Sequence, residues 1–391
     1  MNAHRRSPGH PRRRAWLAGL AGLAACGPAT WASPAAAGTG DACLRAELSA
    51  RPDFVGVALM RQRGQTRLAA QGAADDTGRP LDDQDRFNIG SVSKMFTAVA
   101  VAQLVERGRL ALDGPIGRWV DPLDAEVAAV TLRQLLTHSA GLGNFYTPDN
   151  LTAMQAAGRL ADLLPLARDT RPRFTPGTRF QYSNNGFLLL GLAVERASGM
   201  SFDAYLREQV FTPAGMAATS LRPEGPRLAA QGFTRLPPIG VGPPPRMAAS
   251  PGSSGGPPPM PTGPLRAADE ARLPGTSAGG AYSTAGDLMR FFDALQAGRL
   301  VGVATLRELT RPQIESLPGQ HYGLGFGLVR WEGHEGYGHN GGAPGVNAEA
   351  MVFPADDLVL IVLSNRDPPG AGQQMQALRR AALKDKLCSG S

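Results

Sequence analysis

The chain has 391 residues, 42% of them apolar and 19% charged, a balance that supports a buried core and excludes a disordered polypeptide. Its formal charge of +7 falls to +2 once Arg5, Arg6, Arg12, Arg13 and Arg14 are set aside. No other segment gathers Lys and Arg into a stripe interleaved with aromatics, so the composition argues against a nucleic-acid partner.

Those five arginines belong to a leader. A basic stretch ending at Arg14 precedes an apolar run from Ala15 to Ala25 and then small, helix-breaking residues, the build of a signal peptide over 1–25. The apolar run is too short to span a bilayer as a mature helix. Arg13-Arg14-Ala15-Trp16-Leu17 resembles a twin-arginine export signal, and Leu23-Ala24-Ala25-Cys26 resembles a lipoprotein processing box. Two outcomes stay open: lipidation of Cys26, which would attach the protein to a membrane, or ordinary cleavage after Ala32 or Ala37. Both imply an exported protein, periplasmic or membrane-anchored. Without Cys26 an even pair remains, Cys43 and Cys388, a candidate disulfide tying the two ends of the mature chain.

After a linker at 26–45, Phe54 to Arg63 and Thr66 to Ala74 read as a β-hairpin around Gly64 and Gln65. A helix is expected from Ser91 to Glu106 with Gly108 as its stop signal. From Leu123 to Met216 the pattern is helical, broken by loops at 137–147 and 171–179. The stretch 237–275 is dominated by Pro, Gly, Ser and Ala and reads as a surface insertion that builds no core. A helix over 285–297 leads into strands at 323–331, 346–353 and 358–363 joined by tight turns, and a last helix covers 372–387. Strands at both ends of the chain with helices between them imply an α+β fold over 46–391. Its antiparallel sheet subdomain comes from 46–115 and 285–391, and a mostly helical subdomain covers 116–284.

Chemistry concentrates in Phe87-Asn88-Ile89-Gly90-Ser91-Val92-Ser93-Lys94. A Ser and a Lys three residues apart at a helix start share one face. There Ser91 receives the positive end of the helix dipole and offers its own N–H to an oxyanion. A desolvated Lys94 can lose its proton near neutral pH and accept the one on Ser91.

Three further motifs follow in order: 131–142 (TLRQLLTHSAGL), Pro176-Gly177 leading to Tyr182-Ser183-Asn184, and His339-Asn340-Gly341-Gly342. Together the four resemble the serine β-lactamase and penicillin-binding superfamily, in the branch of class C β-lactamases, D-alanyl-D-alanine peptidases and related esterases. The resemblance covers nearly the whole mature chain and implies a β-lactamase/transpeptidase-like fold. It implies Tyr182 as general base and then acid, its phenol pKa lowered by the Lys94 ammonium. It further implies Asn184 as the amide that holds Lys94 and the substrate carbonyl, and His339 with Gly341 as the substrate-binding strand. The N–H of Gly342 becomes the second oxyanion donor beside that of Ser91. Class C β-lactamases carry lysine where His339 stands, so weak β-lactam hydrolysis at most is expected. His138 is expected to support the active-site loop.

Gly275-Thr276-Ser277-Ala278-Gly279 and Gly252-Ser253-Ser254-Gly255-Gly256 match the G-x-S-x-G nucleophile elbow, but no buried strand precedes either one. The six histidines show no helical ligand spacing with a partnering acid, so no metal is expected, and no cofactor. The sequence therefore reads as an exported monomeric serine hydrolase that forms an acyl-enzyme with a small-molecule ester or a D-amino-acid peptide. Its alternative is a slow-acylating penicillin-binding sensor or cell-wall binding protein with little turnover.

Overall fold

The computed structural model describes residues 39–168, 170–223, 229–237, 262–268 and 273–384. The leader with Cys26, the Gly252 elbow copy and Cys388 lie outside the described residues. Cys43 is disulfide-bonded and sits in the first turn of helix α1 (Ala42–Ser49), whose Asp41 cap accepts from Cys43 N and Leu44 N.

Thirteen strands occur in the described residues: β1 (Thr39–Gly40), β2 (Gly56–Gln62), β3 (Gln65–Gln71), β4 (Phe87–Asn88), β5 (Phe233–Thr234), β6 (Arg266–Ala267), β7 (Tyr282–Ser283), β8 (Ile314–Leu317), β9 (Gln320–Tyr322), β10 (Gly327–Trp331), β11 (His334–Ala343), β12 (Val346–Phe353) and β13 (Leu358–Ser364). Nine form one antiparallel sheet in the order β1-β3-β2-β13-β12-β11-β10-β9-β8. The β2–β3 hairpin turns on Arg63 and Gly64, both with positive φ. That backbone twist matches the twist of the flanking strands and fixes their register. The N-terminal hairpin then pairs β2 with β13, so both chain ends build one sheet.

Both faces of this sheet are covered. Val359, Ile361 and Leu363 of β13 join the core formed with helix α2 (Lys94–Glu106), whereas Leu358, Leu360 and Val362 pack with α1 and the C-terminal helix Gly370–Leu383. Burial on both sides explains why Leu358–Leu363 is continuously apolar instead of alternating. Helix α2 is buried from Lys94 to Leu104 on every side, the pattern of a central core helix. The described residues belong to one compact unit.

Several expectations change in detail. The first hairpin turns on Arg63 and Gly64 and not on Gly64 and Gln65, because Gln65 already pairs with Gln62, and the α-helix expected from Ser91 begins at Lys94. The strand expected over 323–331 starts at Gly327, and the edge hairpin β8–β9 precedes it, turned at Gly319 with φ +74. Residues 262–268 and 273–275, inside the expected surface insertion, lie at the surface but are docked in part: 262, 264 and 265 are exposed, 263, 266, 267 and 273–275 are half-buried, and Ala268 is buried. β6 pairs with β5, and Ala268 is buried against Val346. Gly345 makes this docking possible, because a Cβ there would lie 2.6 Å from Ala268 Cβ and 2.9 Å from Phe233 N. Small residues that cannot build a core of their own still fill the space beside a glycine.

Candidate active site

The nucleophile turn is held by backbone contacts. β4 pairs with β7, and Gly90 then turns with φ +51 while its N–H donates to Asn88 Oδ1. A single 3₁₀ turn, Gly90–Ser93, feeds α2. Gly280 N donates to Gly90 O, and Ala281 N donates to Ser93 Oγ. The β10 ladder on β11 ends at Gly338, whereas the β12 ladder continues to Ala343. The nucleophile turn packs against the stretch of β11 that β10 leaves uncovered. A Cβ on Gly341 would lie 2.2 Å from Ile89 O and 2.8 Å from Ser91 N, and one on Gly90 would lie 3.1 Å from Gly342 N. The amides of Ser91 and Gly342 therefore meet at this junction, and both residues line the cavity.

Lys94 is fully buried. Its Nζ lies 3.2 Å from Ser91 Oγ and 2.7 Å from Asn184 Oδ1, and it also donates to the carbonyl of Ala278. Burial holds its pKa well below the ordinary lysine value. A neutral amine has two N–H donors and one lone pair. Asn184 Oδ1 and Ala278 O occupy the donors, so the lone pair is left for the Ser91 hydroxyl.

Tyr182 stands on the opposite wall and is hydrogen-bonded to Ser91; burial raises its pKa above the ordinary tyrosine value. This reverses the expected lowering by a Lys94 ammonium. The reason is that the apolar surroundings penalise the phenolate, and neighbouring Tyr146 acts in the same direction, outweighing the Ser91 hydrogen bond.

His138 fixes the approach to Tyr182. Its backbone has φ +55, its Nδ1 accepts from Ser183 N at 3.1 Å, and its ring lies 4.1 Å from that of Tyr182. Ser183 caps the helix Asn184–Ser198 by accepting from Gly186 N and donates to Gly143 O. Asn184 thus begins a helix whose start is pinned from two sides. Its Nδ2 donates to Asn144 Oδ1 at 2.8 Å. The amide expected to serve both Lys94 and the substrate carbonyl is therefore already engaged at both ends.

His339 also departs from expectation. It is 1% exposed and is absent from the described cavity lining, to which Asn340, Gly341 and Gly342 contribute. Its Nδ1 contacts the Asn340 carbonyl, which can only accept, so Nδ1 carries the proton and Nε2 accepts from Tyr322 O–H at 2.8 Å. Burial lowers its pKa to about 3. His339 is a neutral, buried neighbour of Tyr182 and not a wall of the cavity.

The cavity, about 210 Å³, is also lined by Asn144, Tyr146, Leu273 and Val346. Sequence reasoning missed Asn144 and Tyr146, although they directly follow the 131–142 motif. It missed Ala278 because that residue acts through its carbonyl. Ser277 of the elbow copy is fully buried, and its carbonyl accepts from Thr97 Oγ1. Among the described residues no group of three or more His, Cys, Asp or Glu could hold a metal ion.

Comparison with known proteins gives the family. Residues 44–384 match the family model described as Beta-lactamase. Penicillin-binding protein 4 of Amycolatopsis lactamdurans is 30% identical over 305 residues, 74% of each chain. Esterase EstB of Burkholderia gladioli is 34% identical over 184 residues, 41% of this chain and 45% of the esterase. The crystal structure of a penicillin-binding protein from Bacillus halodurans superposes with a TM-score of 0.74 at 29% identity, covering 87% of this chain and 99% of the other. With its antiparallel sheet, its flanking helices and a family match that spans most of its length, the chain belongs to the Beta-lactamase family.

Proposed function

We propose that this protein is an exported serine hydrolase that cleaves uncharged esters or amides through an acyl-enzyme on Ser91. The observation that carries the reading is the buried Lys94 amine, whose two acceptors leave its lone pair for the Ser91 hydroxyl. Ser91 Oγ adds to the carbonyl carbon as Lys94 takes its proton, and the oxyanion is received by the N–H groups of Ser91 and Gly342. Tyr182, a phenol with raised pKa, donates to the leaving alcohol or amine, and the proton on Lys94 replaces the one it gave. Water then attacks the acyl-enzyme by the same steps in reverse. Export rests on the leader read over 1–25.

Substrate preference follows from charge. Where class C β-lactamases have a lysine, this site has a neutral His339 held by Tyr322 and the Asn340 carbonyl. The described lining of the cavity carries no Lys, Arg, Asp or Glu. A substrate carboxylate taken into such surroundings loses hydration without gaining a pair. Neutral esters and amides are thereby favoured over penicillins and over peptides with a free C-terminal carboxylate. The esterase relative supports this reading. The penicillin-binding relative supports the alternative, a sensor that acylates and scarcely turns over.

Intact-mass spectrometry with a fluorophosphonate, a penicillin and p-nitrophenyl acetate, on wild type and Ser91→Ala, tests the proposal. The expected result is labelling and rapid ester turnover that both vanish in Ser91→Ala, a loss of about a millionfold in rate. Full activity in that variant overturns the mechanism. A wild-type acyl adduct that persists for hours replaces the hydrolase with the sensor.

A further inference from the structure

A second cavity, about 510 Å³, lies against the other side of the segment that walls the active site. Pro274, Gly275 and Thr276 line this second cavity, while Leu273, Ala278, Gly279 and Gly280 of the same segment line the Ser91 cavity. The shared wall is fixed in place. Gly275 N donates to Leu221 O, Thr276 and Gly279 exchange backbone hydrogen bonds, and Thr97 Oγ1 donates to Ser277 O. A wall so held gives a preformed concavity.

The chemistry of the lining is specific. Met154, Leu163 and Met200 supply an apolar floor. Glu195 stands in the last turn of the helix Asn184–Ser198, where the negative end of the helix dipole disfavours a carboxylate. Its Oε1 accepts from Phe202 N, and burial raises its pKa against the smaller opposing effects of that hydrogen bond and of the Arg159 charge. That inner position calls for a cation. At the rim, Arg159 and Asp203 are already paired with Asp162 and Arg207. Arg196 and Arg222 have no acid partner among the described residues, and that outer position calls for an anion. A ligand with only one charge leaves one of these requirements unmet.

We infer that this cavity is a second binding site, distinct from the Ser91 cavity, for a small zwitterion with an apolar body: an α-amino acid with an aliphatic side chain. Its ammonium pairs with Glu195, its carboxylate with Arg196 and Arg222, and its side chain covers the methionine and leucine floor.

Isothermal titration calorimetry of the full chain with leucine tests the site, using Ser91→Ala and fluorophosphonate-labelled wild type so that binding is read without turnover. Saturable binding is expected, equal within twofold in the two forms. Octylamine and octanoate, each carrying one of the two charges, should bind at least tenfold more weakly. Glu195→Gln keeps the acceptor for Phe202 N while removing the charge and should weaken leucine at least tenfold. Arg222→Ala, at an exposed position, should weaken it about threefold and stands as an independent variant. Absence of leucine binding, or its loss on labelling Ser91, overturns the site. Octanoate or octylamine binding as tightly as leucine, or unchanged leucine affinity in both variants, overturns the zwitterion assignment.

Discussion

The two walls of the Ser91 cavity are built on different principles. The nucleophile turn is positioned by backbone: Gly90 with its positive φ, the amide of Gly280 on Gly90 O, and a close approach at Gly341 that no Cβ could share. The Tyr182 wall is positioned by side chains. His138 lies 4.1 Å from the Tyr182 ring, and the rings of Phe187 and Tyr322 each lie 5.0 Å from His138. A backbone-built wall fixes where atoms are, whereas a wall of buried rings also fixes which groups hold protons. In the proposed mechanism that second property makes Lys94 the proton acceptor and Tyr182 the donor.

The sharpest way to break this division of labour is to remove the lone pair of Lys94. Lys94→Arg keeps a donor group but is charged at all accessible pH values, and kcat should fall by about 10⁴-fold. In wild type the base is competent only when deprotonated, so kcat/KM should rise with pH through the Lys94 pKa, well below the ordinary 10.5. No decline from Tyr182 is expected below pH 10, because its pKa is raised. A rate that falls between pH 7 and 9 would show that a group titrating there must be protonated, and would overturn either the neutral Lys94 base or the raised Tyr182 pKa. Tyr182→Phe removes only the proton donor and should reduce turnover by about 10³-fold, less for an activated aryl ester than for an alkyl ester. Equal losses on the two esters would remove Tyr182 from leaving-group protonation.

On the backbone side, Gly341→Ala places a methyl against Ile89 O and Ser91 N. The nucleophile turn must then move, and a shift near 1 Å costs about 10²-fold in kcat. Thermal unfolding should show about 1–3 kcal/mol of destabilisation from the overpacking. Unchanged kinetics would mean that the turn is softer than its hydrogen bonds imply.

The same division explains how much was legible in the sequence. Ser91, Lys94, Tyr182 and Asn184 stand in short motifs, and the structure brings them into one hydrogen-bonded cluster. Glycines and helix starts leave a local signature. The N-terminal hairpin and the sheet drawn from both chain ends were legible for the same reason, since turn residues and strand runs are local, whereas the short edge hairpin β8–β9 was not. Protonation was not legible. The Tyr182 pKa depends on burial by residues distant in sequence, and Tyr322 and His339 meet across the β9–β11 region. Asn144 and Tyr146 lie on a loop whose course depends on Ser183 and Thr276, and Ala278 contributes an atom that every residue possesses.

The smallest effect probes the assignment of protons on His339. Tyr322→Phe removes the hydroxyl that donates to Nε2 and leaves a buried acceptor without a donor, at about 1–3 kcal/mol of stability. Turnover should change only a few-fold, because neither residue lines the described cavity. Nitrogen-15 NMR of the imidazole should show Nδ1 protonated in both proteins, since the Asn340 carbonyl can only accept from it. A wild-type imidazole protonated on Nε2 would reverse the Tyr322 hydrogen bond and aim its hydroxyl proton elsewhere, toward Tyr182 or His138. Tyr322 would then belong to the proton path and not to its support, and the loss of turnover in Tyr322→Phe would approach that of Tyr182→Phe.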